Sequence, residues 1–352
     1  MRFLFVTNHA YPPQRVGGAE FSTHDLCRAL QRRANDVAVL AGLVPAGSLH
    51  LRSRVARRLL GRQAAADRSQ GYAVYRAQKP ISALVETLHR YRPDVVVLHP
   101  DKAADLYDAL RHEQQSTLVY LRDTEFHRLG FMPVSAPGVG FVANSRFTAE
   151  AARSAFGIEA TVIPPLILPE RYATGLTGDE VLFVNPVAEK GVELAFEIAA
   201  LCPHRRFRFV EGWPLDATKR RALELRAKSY GNVSLQASTQ DMRPIYARTK
   251  VLIVPSRWQE AWGRVVTEAQ LNGIPVLATR IGGLTESVGD GGQLFDIGAP
   301  ASDWAGAIER LYSDEAHLAA AQASARKRAA ADDLKADTLV NRLQEGAQQL
   351  RQ

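Results

Sequence analysis

Cysteine is nearly absent from this sequence. Cys27 and Cys202 are its two, far apart and outside any C-x-x-C pair, in a chain of 352 residues. That excludes a disulfide framework and a cysteine-based zinc site, and it fits a reducing, cytoplasmic compartment. Long hydrophobic runs are missing too. None approaches the roughly 20 apolar residues that a membrane-spanning helix needs. The opening Met1-Arg-Phe-Leu-Phe-Val is too short for a secretory signal core and reads as a first strand. Internal repeats and low-complexity tracts are absent, and no Asp-x-Asp stands at a strand end to suggest a divalent ion. What is present, 46% hydrophobic residues, suffices for one large or two medium cores.

Acidic residues are scarce in the first half. Residues 1 to 165 hold 21 basic and 14 acidic side chains, while the remainder holds 23 of each sign, so the whole net charge of +7 sits in the first half. Much of it lies in L-R-S-R-V-A-R-R-L-L-G-R, residues 51 to 62, with five arginines and no acid. Such a run is read first as a solvated basic helix, because its apolar face is only a few residues wide. Its second reading is a helix that meets an anionic surface, which would place the chain peripherally on the inner face of a membrane. Nucleic acid is not an expected partner, since no aromatic platform is interleaved with the basic residues.

Short β-branched runs alternate with helical patterns throughout. Phe3–Thr7, Asp36–Ala41, Tyr72–Arg76, Asp94–Leu98, Thr117–Leu121, Gly140–Ala143 and Thr161–Ile163 predict strands, with amphipathic helices such as Glu20–Arg33 between them. Asn144-Ser145 offers a strand-to-helix cap. Pro164-Pro165 through Gly178 has prolines and glycines but no periodicity, which marks a linker. The alternation then restarts at Val181–Val184 and ends in a charged, alanine-rich helical tail from Trp304. This pattern predicts an α/β fold of two doubly wound parallel-sheet domains. Ligands in such sheets gather at the carboxyl ends of strands, so a cleft between the domains is the expected site.

Four strand-to-helix junctions in the second half carry candidate chemistry. Lys190-Gly191 precedes a helix, where a lysine is favourable only if an anion sits there. In S-R-W-Q-E-A-W-G-R-V-V-T-E-A, residues 256 to 269, the helix is expected to start near Gly263 and run to about Leu271. Glu260 then lies in the loop and Glu268 one to two turns into the helix. Gly263 allows close backbone approach, and Arg264 in the first turn opposes the helix dipole unless an anion offsets it. Cations and open N–H groups around one helix start describe a diphosphate site. The two glutamates suit neutral sugar hydroxyls. Gly282-Gly283 after the next strand exposes further N–H groups to an anion. Trp213, in Glu211-Gly-Trp, either fills core or covers a base.

Together these residues resemble the donor-site signature of family 4 retaining glycosyltransferases: P-S-x(3)-E-x(7)-E-A-x(3)-G-x-P-V-x-A-T-x-x-G-G-x-x-E. V-G-G-A-E at 16 to 20 is similar to their acceptor-side Gly-Gly loop, and V-A-N-S at 142 to 145 and K-G at 190 to 191 follow in the expected order. The resemblance spans nearly the whole chain. It implies a GT-B fold: two Rossmann-like domains (1–165 on the acceptor side, 179–335 on the donor side) facing each other across a cleft. A linker at 166–178 and a terminal helix at 336–352 crossing back to the first domain complete it. Lys190 would contact the donor diphosphate, Glu260 the sugar hydroxyls and Glu268 the ribose. Backbone N–H groups of Ala261, Trp262 and Gly263 would face sugar and phosphate, with Gly17 and Gly18 beside the phosphates and acceptor. Two positions depart from the family. Asn185 stands where an arginine is usual, and Arg264 is the candidate replacement cation. The usual histidine after the fifth strand is replaced near Arg122, so Arg122, Asp123 and His127 all remain candidates there, while His99 is read as structural.

The resemblance implies retaining transfer from a nucleoside-diphosphate sugar, UDP or GDP, to a hydroxyl acceptor that is a glycan, lipid-linked or anionic. Neither metal nor other cofactor is expected. A sugar-nucleotide epimerase or phosphorylase on the same fold, or a catalytically silent binding subunit, are the alternatives.

Overall fold

The computed structural model describes residues 1–213 and 215–351; the final residue of the expected terminal segment, Gln352, lies outside them. The chain divides into two compact units, Met1–Leu166 with Ala336–Gln352, and Ile167–Lys335.

The first unit is built on β1 (Arg2–Ala10), β2 (Asp36–Gly42), β3 (Ala65–Asp67), β4 (Ala73–Ala77), β5 (Val95–Leu98), β6 (Thr117–Leu121), β7 (Val139–Ala143) and β8 (Thr161–Val162). Their order across the sheet is β3-β4-β2-β1-β5-β6-β7-β8. All pairs are parallel except β3 with β4. The strand sequences are continuous Val/Leu/Ala runs because helices cover both faces. Ser145 caps the helix Arg146–Phe156 as its sequence predicts, its hydroxyl accepting from Thr148 N–H at 2.9 Å. The antiparallel β3 has no counterpart in the sequence pattern, because Ala-Ala-Asp carries no β-branched or alternating signal. The helix Ala336–Gln349 belongs to this unit and buries Leu339, Val340, Leu343 and Ala347, with Arg342 donating to Val162 O at 3.1 Å.

The second unit holds β9 (Glu180–Val184), β10 (Phe207–Val210), β11 (Val233–Gln236), β12 (Thr249–Val254), β13 (Val276–Thr279) and β14 (Gly292–Phe295), in the order β11-β10-β9-β12-β13-β14 and wholly parallel. Trp304 stacks on Phe295 at 4.3 Å in one core layer, while Leu182, Leu252, Val266 and Ala278 fill the layer on the other face. The proline-rich stretch expected to be a bare linker is instead folded against this second core. Pro169–Tyr172 forms a helical turn, Ile167 and Tyr172 are buried, and Thr174 N–H donates to Asn272 Oδ1 at 2.8 Å. Proline at the first helical position is compatible with such a turn. The apolar residues between the prolines, rather than any periodicity, attach it.

In each sheet one strand pair marks where the winding reverses: β1 beside β5 in the first unit, β9 beside β12 in the second. The carboxyl ends at these switch points are where open α/β sheets receive ligands.

Candidate functional site

At the second switch point the loop after β9 and the loop after β12 are stitched together. Glu189 O accepts from Arg257 N–H at 2.9 Å and Trp258 N–H at 3.0 Å. Gly191 sits at φ +80°, and a Cβ there would fall 1.8 Å from Pro255 O. Only glycine lets these two backbones touch. The consequence is that Lys190 Nζ reaches Glu260 Oε1 in a close ion pair, with 15% and 14% of the side chains exposed. Ser256 Oγ donates to the same carboxylate oxygen at 3.2 Å. The Lys190 ammonium also lies 5.1 Å from the centre of the half-exposed Trp213 ring.

The loop from Glu260 to Gly263 is held from behind by the Gly282-Gly283 turn. Gly283 N–H donates to Glu260 O at 2.6 Å, and a Cβ on Gly283 would lie 2.1 Å from Ala261 O. The turn expected to offer both N–H groups to an anion therefore spends at least one of them on fixing the loop. Among the described residues the N–H groups of Ala261, Trp262 and Gly263 donate to no protein group. They precede the helix Arg264–Leu271, whose amino end carries positive partial charge. Trp262 is buried and ties its indole N–H to Thr267 Oγ1 at 3.0 Å.

Inside that helix Glu268 is buried. Its Oε2 accepts from Tyr246 Oη at 2.7 Å and its Oε1 faces Arg264 Nε at 3.2 Å. Burial, then the neighbouring Glu268 charge, pushes the Tyr246 phenol well above its ordinary value, so it stays a donor. A carboxylate has about four acceptor sites, so Glu268 keeps capacity for further hydroxyls.

At the first switch point the side chains are denser. His9, at the carboxyl end of β1, places Nε2 2.6 Å from Asp101 Oδ2, while Arg15 Nη1 lies 2.8 Å from its Nδ1. Asp101, beyond β5, takes two bonds from Arg128 at 2.9 and 2.8 Å, and Arg128 also reaches Glu125 at 3.1 Å. Burial pushes the Asp101 carboxyl up, but the Arg128 bonds and His9 outweigh it and hold it below the usual range. Burial raises the Asp123 carboxyl. His99, fully enclosed, is lowered well below the usual imidazole value by burial and then by the Arg122 charge.

The amino-terminal part of this arrangement matches the family Glycosyltransferase Family 4 over residues 16–171, and the second unit matches the family Glycosyl transferases group 1 over residues 171–328. The chain belongs to the family 4, group 1 glycosyltransferases. It is similar to D-inositol 3-phosphate glycosyltransferases: 48% identical over 68 residues to that of Arthrobacter sp. (strain FB24), covering 19% of this chain and 16% of that protein. To that of Stackebrandtia nassauensis it is 37% identical over 102 residues, covering 27% and 23%. The matched stretch thus spans less than a quarter of the length of these curated relatives. In three dimensions it resembles HepE of Anabaena in complex with UDP-glucose, with a TM-score of 0.75 and 20% identity over 100% of this chain and 99% of that one. A sucrose-phosphate synthase of Thermosynechococcus elongatus gives a TM-score of 0.79 and 17% identity, with 99% of each chain covered. The fold is GT-B, two Rossmann-like domains.

On this fold the candidate residues separate into groups. Lys190, Glu260 and the Ala261–Gly263 backbone come together. Arg264, the candidate replacement cation, is held by protein groups beside this site. Its guanidinium turns along the helix to Glu268 and to the Tyr172 hydroxyl at 2.8 Å, because residues four apart share a helix face. At Asn185, where the resemblance leads one to expect an arginine, the backbone is left-handed, at φ +68°, a conformation that asparagine tolerates. Its Oδ1 accepts from Trp213 N–H at 3.0 Å, so the side chain fixes the Trp213 loop.

In the first unit Gly17 caps the helix Gly18–Arg32. Arg122 anchors that helix start by donating to Ala19 O at 2.6 Å and Thr23 Oγ1 at 2.8 Å, with its guanidinium 4.3 Å from the Tyr120 ring centre. Asp123 accepts from Glu125 N–H at 3.0 Å. His127 is exposed and lines an open pocket of about 590 Å³ with Lys102, Ala104, Arg128 and Gly130. Sequence reasoning missed His9, Asp101 and Arg128. No spacing in the sequence links them; they lie in or some residues beyond the carboxyl ends of the adjacent strands β1, β5 and β6.

Proposed function

We infer that the chain moves a sugar from a nucleoside-diphosphate sugar to a hydroxyl acceptor, with retention of anomeric configuration and without a metal. The observation that supports this most is the Lys190–Glu260–Ser256 grouping at the carboxyl ends of β9 and β12, beside the open N–H groups of Ala261 to Gly263. In this reading Lys190, with three donor protons, meets the diphosphate. Glu260 accepts hydrogen bonds from sugar hydroxyls, and Glu268, oriented by Arg264 and Tyr246, accepts from the ribose. UDP is the first donor nucleotide to test, since HepE is seen with UDP-glucose, and GDP the second.

The bond from the anomeric carbon to the phosphate oxygen breaks while the acceptor oxygen bonds to the same face of that carbon. The acceptor proton passes to the departing diphosphate. Charge growing on that diphosphate is what Lys190 and the backbone N–H groups are placed to stabilise. Two carboxylates set 5 to 9 Å apart for hydrolytic chemistry are not required. The acceptor is read as a hydroxyl on an anionic or lipid-linked compound, on the strength of the basic first unit. The test is transfer by purified protein with UDP- and GDP-sugars, in the presence and absence of EDTA, with the product anomer read by NMR. Activity that survives EDTA and an anomer matching the donor support the reading. An inverted product overturns retention, and binding without transfer or hydrolysis shows a silent subunit.

A further inference from the structure

The helix Gly47–Leu60 is built inside out. A helix on a globular protein normally turns its apolar stripe inward. Here the inward position is Ser53, which is buried, with Ala56 half-buried beside it. Leu51, Val55 and Leu59, spaced four apart on one face, are instead 56%, 55% and 80% exposed, and Leu60 is 55% exposed. Arginines flank this outward stripe: Arg54 and Arg58 on one side, Arg52 on the other, with Arg62 just beyond the end. None of Arg52, Arg54, Arg57, Arg58 and Arg62 has an acidic partner among the described residues, and no acid lies between residues 47 and 62.

A solvated basic helix explains the arginines but not the outward leucines. A protein groove would explain the leucines but leave five cations to be matched one by one. A surface that is apolar within and anionic at its boundary matches both together: leucine and valine enter the acyl boundary while the arginines remain among phosphates. We propose that this helix is an interfacial membrane anchor that lies flat on an anionic lipid bilayer. It spans nothing; no helix among the described residues is long and apolar enough to cross a membrane.

Its position gives the contact a use. Val44 N–H and the Val44 and Ala46 carbonyls just before the helix are bonded to the side chain of Gln14, at 3.2, 3.1 and 3.4 Å. Gln14 lies three residues ahead of Gly17-Gly18. A docked helix would therefore hold the Gly17-Gly18 loop near the lipid headgroups, where a lipid-borne hydroxyl is presented. The anchoring itself does not depend on the donor-site reading.

The experiment is co-sedimentation of the full chain with vesicles of phosphatidylcholine alone and of phosphatidylcholine with 30% phosphatidylglycerol, at about 0.1 M salt. Binding is expected to the anionic vesicles, weakening with salt and by about fivefold per arginine changed to glutamine. The Leu51→Gln/Val55→Gln/Leu59→Gln variant should lose at least tenfold in partitioning with an unchanged melting temperature, because these side chains are exposed. Indifference to the apolar triple change would overturn the anchor, as would absence of binding to anionic vesicles or equal binding to neutral ones. So would displacement from vesicles by stoichiometric duplex DNA, which would make the surface a polyanion site.

Discussion

The two switch points differ in how they are made. In the second unit the contacts are between loop backbones: Glu189 O holds Arg257 and Trp258, Gly191 touches Pro255, and Gly283 holds Glu260. In the first unit they run between side chains distant in sequence, with His9 and Asp101 92 residues apart and Arg122 reaching back 99 to Thr23. A backbone-built site demands glycines and small residues at fixed spacings, whereas a side-chain network needs only that each partner find another.

Substitutions should expose that difference. The largest effect is expected from Glu260→Gln, which keeps the loop but removes the charge facing the sugar. Transfer should fall by about a thousandfold, the size of loss seen when one polarising group leaves a catalytic site, with the circular dichroism unchanged. Gly191→Ala attacks the backbone contact itself. A left-handed alanine whose Cβ meets Pro255 O is expected to cost roughly 3 kcal/mol or more, measured as a lower denaturant midpoint. In the first unit Asp101→Asn should cost about 1–3 kcal/mol of stability, since Arg128 and His9 lose their charged acceptor. Transfer by that variant should be reduced far less than by Glu260→Gln; an equal loss would make the two switch points equal partners in catalysis.

A smaller effect is set by His99. Its native pKa lies well below the unfolded value of about 6.5. Between those two values the unfolded chain binds a proton that the native chain does not, so stability falls as the pH drops below about 6.5. Replacing His99 by glutamine should flatten the decline of melting temperature between pH 7 and 5. An unchanged slope would show that His99 does not carry it. The smallest change is expected for Arg264→Gln. Having become a support for Glu268, it should weaken nucleotide binding by less than about fivefold, an amount comparable to loss of one largely satisfied side-chain bond. A drop of a hundredfold would restore it as a phosphate cation.

The same difference explains what could be read in advance. The helix start at Gly263, the loop position of Glu260 and the in-helix position of Glu268 were legible, because a left-handed turn favours Gly263 and backbone approach imposes Gly282 and Gly283, at spacings that do not vary with side-chain rotamer. Ser145 was legible as a cap for the same local reason. The His9–Asp101–Arg128 cluster was not, since nothing in its spacing ties the members together. Asn185 looked like a missing arginine, and its left-handed backbone has no signature in composition. For Arg264 the first-turn position suggests an anion, and the sequence held no sign of its bonds to Glu268 and to Tyr172 in the segment expected to be a linker. In the basic run the arginines were visible at once. That its apolar residues point outward could be known only from the packing of Ser53 and Ala56.

The central claim is that Lys190 and Glu260 address two parts of one donor. Calorimetric titration of UDP-glucose and of UDP into the native chain, Lys190→Ala and Glu260→Gln tests it most directly. Lys190→Ala should weaken both ligands by similar factors of about ten or more, as expected for a lost charge-assisted bond to phosphate, whereas Glu260→Gln should weaken UDP-glucose and leave UDP unchanged. Native affinities for both ligands in both variants would contradict it.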